Sequence, residues 1–160
     1  MLGAASTIHV TAGQHVNFSA YIKTADVTGG AASLWWQKVD RGVQVLDLNS
    51  ARSVQVRGTT EWQRYDIAIP AFEKDGEMRF GVSLSGIGTA WYNTFAIEID
   101  GTPVKDSHVL DPGSWTRPRG FTNNGYDIGV VRRWLRSSPD DPAAARDNAP
   151  TLIIKSISME

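Results

Sequence analysis

The sequence predicts an all-β fold. Three observations predict it: apolar and polar side chains alternate with period two over most of the chain, turn signals recur between these runs, and no long stretch has helical spacing. "VNFSAYIKT" sets Val16, Phe18, Ala20 and Ile22 on one face and Asn17, Ser19, Tyr21 and Lys23 on the other. "WQRYDIAIP" alternates Tyr65, Ile67 and Ile69 against Arg64, Asp66 and Ala68, and stops at Pro70. "MRFGVSLSG" repeats the pattern with Phe80, Val82 and Leu84, and "WYNTFAIEIDG" with Phe95, Ile97 and Ile99 before an Asp100-Gly101 turn. Further turns are expected at Gly29-Gly30, Arg41-Gly42, Asp75-Gly76, Gly86/Gly88 and Asn124-Gly125. Short strands at this spacing read as an antiparallel two-sheet sandwich. Helical signals are confined to "AAAR" at 143–146 and a turn near 131–136, while "RSSPDDPAAARDNAP" reads as an exposed loop.

Composition bounds the function. At 160 residues the chain makes a single domain, 1–160, with one core. Sixteen basic and seventeen acidic side chains leave a net charge of -1, which provides no field to gather nucleic acid or an anionic membrane, so neither is expected as a partner. Cysteine is absent, excluding disulfides, thiolate metal sites and cysteine nucleophiles. With neither a leader nor an apolar run of membrane-spanning length, a cytoplasmic location is expected.

Three segments carry a resemblance: "HVTAGQHVNFSAYIKTADVTGGAASLWW", "VRGTTEWQRYDIAIP" and "RFGVSLSGIGTAWYNTFAIEIDG". Together they resemble the jelly-roll domains related to carbohydrate-binding modules, in the version attached to bacterial transcription regulators and some hydrolases. The likeness covers about residues 8 to 103, with a "GTTxWxRY" strand preceding an "LSGxGxxW" strand. In that family the "SAYIKT" strand is preceded by segments this chain carries at its other end: Pro118-Arg119-Gly120-Phe121, "NNGYDIGVVRR" and "APTLIIKS". The resemblance therefore implies a circularly permuted jelly roll, with 113–160 supplying the strands that come first in the unpermuted order. It also implies that Met1 and Glu160 meet on neighbouring strands at one end of the sandwich.

Six tryptophans are more than packing ordinarily needs. Trp35 and Trp36 are adjacent and so face opposite ways in a strand; Leu34 and Trp36 are assigned to the core, leaving Trp35 and Gln37 to a cleft. The same parity adds Tyr21, Lys23, Arg79, Ser83 and Asp127 to that lining, with Trp91 and Tyr126 beside it, while Gly81 and Gly129 leave room for a ligand. An aromatic platform beside polar groups suits stacking on a sugar ring or a flat polyketide. Asp127, or Asp47 in "VLDLN", is the candidate general acid if the cleft is catalytic.

No metal or cofactor is expected. The family's calcium ligands would fall at Asn93, Thr94 and Asn49, none of them a carboxylate, and His9, His15 and His108 lie in separate segments. There is no nucleophile elbow and no phosphate loop. Two functions follow as expectations. The first is binding of a small organic ligand, glycosylated or polycyclic, in an aromatic-lined cleft. The alternative is a small-molecule cyclase or isomerase of natural-product biosynthesis using the same cleft and one acid. Whether the protein is an enzyme stays open at this level, and sandwich edges leave room for a homodimer.

Overall fold

The period-two runs become strands of one strongly curled antiparallel sheet. A computed structural model describes residues 2–40, 43–44, 54–116, 126–131 and 150–156. Within them lie β1 (Leu2–Val10), β2 (Val16–Asp40), β3 (Val43–Gln44), β4 (Val54–Ile69), β5 (Gly76–Leu84), β6 (Ile87–Ile99), β7 (Thr102–Pro103), β8 (Tyr126–Val131) and β9 (Thr151–Ser156). One helical turn, α1 (Ser107–Leu110), and a 3-10 turn at Pro112–Ser114 follow β7. The hydrogen-bonded order is β1-β5-β2-β6-β9-β8, with β3 and β4 also on β2 and β7 on β6.

The curl originates in β2, which is 25 residues long. Its first part, Val16 to Thr28, pairs with β6; its second, Ala32 to Val39, pairs with β5. The exchange of partners falls where Asp26 and Gly29 adopt φ of 54° and 68°. A turn was expected from Gly29-Gly30, but the strand continues through a bend, because β4 runs alongside both parts and carries the ladder across. Gly30 is required there for a second reason. A Cβ on it would lie 2.3 Å from the Ser85 carbonyl of the incoming β5–β6 turn. Asp100-Gly101 forms the expected tight turn, both residues at positive φ, between the paired residues Ile99 and Thr102.

Inside the curl sits one contiguous core. β2 contributes Phe18, Ala20, Ile22 and Leu34, β5 contributes Met78, Phe80, Val82 and Leu84, and β6 contributes Ala90, Tyr92 and Ile97, all fully buried. Leu152 and Ile154 of β9 and Leu2 and Val10 of β1 close it. Each large aliphatic or aromatic side chain contributes about 1.5 to 3 kcal/mol by leaving water. The alternation read in these segments is thus the alternation between core and outer face. The "AAAR" segment, the Arg41-Gly42 and Asn124-Gly125 turns and the proline-rich loop lie outside the described residues. The α1 turn has no counterpart in the sequence reading, since four residues cannot display a helical period.

β1 and β9 are not hydrogen-bonded neighbours. Leu2 is opposite Leu84, just before the β5–β6 turn, and the Ser156 hydroxyl accepts from the Gly88 N–H at 2.8 Å, just after it. The first residue of β1 and the last of β9 therefore flank the same turn.

Candidate functional site

Away from the core, β2, β6, β9 and β8 present a continuous outer face built in register. Lys23 is opposite Trp91, Trp91 opposite Ile153, and Ile153 opposite Gly129, one residue per strand. Each of the first three is flanked along its own strand by fully or almost fully buried core residues: Ile22 and Thr24, Ala90 and Tyr92, Leu152 and Ile154. Period two therefore turns Lys23, Trp91 and Ile153 outward. A parallel row on one side holds Tyr21 opposite both Arg64 and Asn93, and a row on the other holds Ala25, Thr89, Lys155 and Asp127.

Charge and aromatic surface meet in the middle of this face. The Lys23 Nζ lies 6.0 Å from the Trp91 ring centroid and 3.6 Å from a Glu61 carboxylate oxygen. Arg64 pairs with Asp66 at 3.0 Å on the neighbouring strand. Gly129 has open space where a side chain would stand, with nothing within 4 Å of an added Cβ. Asp127 is exposed and stands opposite Lys155. Beneath the Tyr21 row the face turns polar and buried: Asn93 donates from Nδ2 to the Thr151 hydroxyl at 3.4 Å, and the Thr94 hydroxyl donates to Asn93 Oδ1 at 3.2 Å. Thr94 sits at φ 53°, a conformation strained for a β-branched residue, at a register shift between β2 and β6.

The expected site residues divide between the two halves of the curl. Tyr21, Lys23, Trp91 and Asp127 come together on the face just described. Trp35, Gln37, Arg79 and Ser83 form a second set on the half made by β1, β5 and the end of β2, with Trp35 opposite Gly81, Gln37 opposite Arg79 and Ser33 opposite Ser83. Trp35 lies outside the contiguous core that Leu34 joins and Trp36 packs against. It is nevertheless 6% exposed, and Ser83 2%. Gly81 leaves no room for a ligand, contrary to expectation, because a Cβ on it would lie 2.1 Å from the Ala4 carbonyl oxygen of β1. Tyr126 is half-buried, packs against the core and donates its hydroxyl to the Gly86 carbonyl at 2.8 Å, fastening β8 to the β5–β6 turn. Asp47 and Asn49 lie outside the described residues.

Sequence reasoning passed over Trp62. Ile22 is opposite Gln63 and Thr24 opposite Thr60, so the single residue Lys23 faces two residues of β4, Glu61 and Trp62. This β-bulge places both beside Lys23. The only sequence signal is the tryptophan of "GTTEWQRY"; the bulge itself is set by strand pairing. Among the described residues no group of three or more His, Asp or Glu side chains is placed to hold a metal ion, and His9, His15 and His108 are exposed. No helix among them is long and apolar enough to cross a membrane.

Comparison with known proteins gives one point of contact with a regulator. The chain is 31% identical over 101 residues to a Bacillus subtilis (strain 168) protein described as uncharacterized HTH-type transcriptional regulator YbfP. The aligned stretch is 63% of this chain and 34% of that protein, so the chain spans about a third of its relative's length. No family model matches, and no solved structure does.

Proposed function

We propose that this chain is a binding module that takes a small organic molecule, glycosylated or polycyclic, on the outer face carrying Tyr21, Lys23 and Trp91. The observation that carries the reading is the Lys23–Trp91–Ile153–Gly129 row. It sets a partly exposed indole beside a cation, an aliphatic side chain and a vacant glycine position, across four neighbouring strands. A flat ring stacked on Trp91 gains dispersion and apolar burial, and the adjacent Lys23 supplies a donor for a ring substituent. The strands that hold these groups are paired on both sides in β2, β6 and β9, so the platform is fixed before the ligand arrives.

The architecture we read behind this face is a two-sheet jelly roll of the carbohydrate-binding-module type in permuted order. Support comes from the exchange of partners along β2, which divides the curl into two halves around one core, and from the order of the sequence motifs. The positions of Leu2 and Ser156 on either side of the β5–β6 turn fit the same reading. The similarity to part of a protein described as a transcriptional regulator fits a ligand-sensing role, in which occupancy of the face is reported to the rest of a larger assembly. Fold alone does not fix function, and the proposal rests on the site.

The test is direct. A panel of aryl glycosides and polycyclic phenols is titrated against the protein while intrinsic tryptophan fluorescence is followed, with Trp91→Ala as the comparison. Saturable quenching that weakens in the variant by about 1 to 3 kcal/mol, the usual worth of an aromatic anchor, is the expected result. Binding that Trp91→Ala leaves untouched would remove this face from consideration.

A further inference from the structure

β4 has a strand on one side only. Every ladder it makes among the described residues is with β2, and at 16 residues it is longer than β1 or β8, the strands that end the hydrogen-bonded order. The outer edge of β1 is met by Thr116, which exchanges two backbone bonds with Ala5. An open strand edge offers a row of backbone donors and acceptors to any chain that can lie beside it. Proline and lysine, common devices against such pairing, are missing from residues 54 to 69.

The exposed side chains of β4 are complementary to their own reversed order. Exposure alternates without a break from Val54 to Gln63 and carries Gln55, Arg57, Thr59, Glu61 and Gln63 outward. In one direction this row is amide, cation, hydroxyl, anion, amide; in the other, cation and anion change places. We propose that a second copy of this chain pairs antiparallel with β4 along residues 55–63, about a two-fold axis at Thr59. Arg57 then stands opposite the partner's Glu61, Glu61 opposite the partner's Arg57, the two glutamines opposite each other, and Thr59 opposite its own copy. Directly opposite residues share one face of the joined sheet, where unlike charges stabilise and like charges destabilise. An axis at Arg57 or Glu61 would set like charges against each other, and one at Gly58 or Thr60 would leave both charges opposite neutral side chains. In the single chain the Arg57 guanidinium donates to Gln55 Oε1 at 3.2 Å, and the Glu61 carboxylate, 85% exposed, lies 3.6 Å from Lys23 Nζ. Exposed contacts of this kind are weak enough to be exchanged for a partner's.

The experiment is sedimentation equilibrium over a concentration series, on wild type, Arg57→Glu, Glu61→Arg, the double variant with both changes, and an equimolar mixture of the two single variants. Both positions are exposed, and thermal melting checks that each variant is folded. Wild type should dimerise reversibly. Each single variant should dimerise about tenfold more weakly or worse, because the two-fold axis repeats every substitution and turns both ion pairs into repulsions. The double variant and the mixture should regain wild-type association, since both restore unlike charges across the axis. Backbone amides of 55–63 in wild type should also exchange more slowly with solvent on concentration, a readout that needs no variant. A chain that stays monomeric up to about 1 mM overturns the proposal. So does a dimer that ignores both charge reversals, which would seat the second copy elsewhere, and so does one that the mixture fails to restore.

Discussion

The phenolic hydroxyl of Tyr92 on β6 donates to the Ser83 carbonyl on β5 at 2.8 Å, across the interior of the curl. These strands are joined only by the short turn at Ser85–Gly86 and are separated in the sheet by β2. The bond therefore ties one half of the curl to the other through the core. Tyr92 is fully buried, so the hydroxyl has no water to turn to. Tyr92→Phe keeps the ring and strands the Ser83 carbonyl. It should cost about 1 to 2 kcal/mol in urea denaturation, with an unchanged denaturant slope.

The same residue makes stability depend on alkaline pH. Burial pushes the Tyr92 phenol well above its ordinary value of 10.0, opposed only weakly by the Ser33 backbone N–H. In the unfolded chain this tyrosine ionises near its ordinary value, while the folded protein keeps the proton. The stabilisation is therefore complete below about pH 10 and is lost progressively as pH rises above it. Tyr65, partly buried, shifts in the same direction. Melting followed from about pH 9 to about pH 11 should show a fall that is shallower in Tyr92→Phe than in wild type. Equal slopes would mean that Tyr92 is not the group responsible.

Two glycines, one in each half of the curl, make opposite predictions. Gly81 is opposite both Ala5 and Trp35, and β1 approaches so closely that a methyl group would collide with the Ala4 carbonyl. Gly81→Ala should lose about 2 to 3 kcal/mol of stability, since the obstacle is backbone and cannot rotate away. Gly129→Ala meets nothing within 4 Å and should stay within about 0.5 kcal/mol of wild type. Thermal unfolding of the pair checks both, and a destabilised Gly129→Ala would show that the space beside Ile153 is filled.

These contrasts mark what the sequence could and could not carry. The faces of "VNFSAYIKT", "MRFGVSLSG" and "WYNTFAIEIDG" were legible because one side of each strand is fully buried, and burial imposes period two on residue choice. Gly29-Gly30 signals a turn, but the same residues serve a bend within one strand when a third strand bridges it. Parity also placed Tyr21 and Trp35 on one lining, when they belong to different halves of the curl. The bend between them, and the bulge that brings Trp62 beside Lys23, depend on which strands pair, a property that no local window contains.

Trp35 and Trp91 separate packing from recognition. Trp35 is 6% exposed, so Trp35→Ala removes a large buried side chain and should cost about 3 to 5 kcal/mol of stability. Trp91 is only half-buried, and its replacement should act mainly on affinity. Asp127, exposed at the far end of the same face, tests the catalytic alternative. Asp127→Asn should leave probe binding nearly unchanged and, in a binding module, there is no turnover for it to affect. Incubation of wild type with every compound that quenches tryptophan fluorescence, read by mass spectrometry, should return each compound intact. Conversion of one compound, lowered about a hundredfold in Asp127→Asn while binding persists, would be the signature of general-acid catalysis and would replace the binding-module reading with an enzyme.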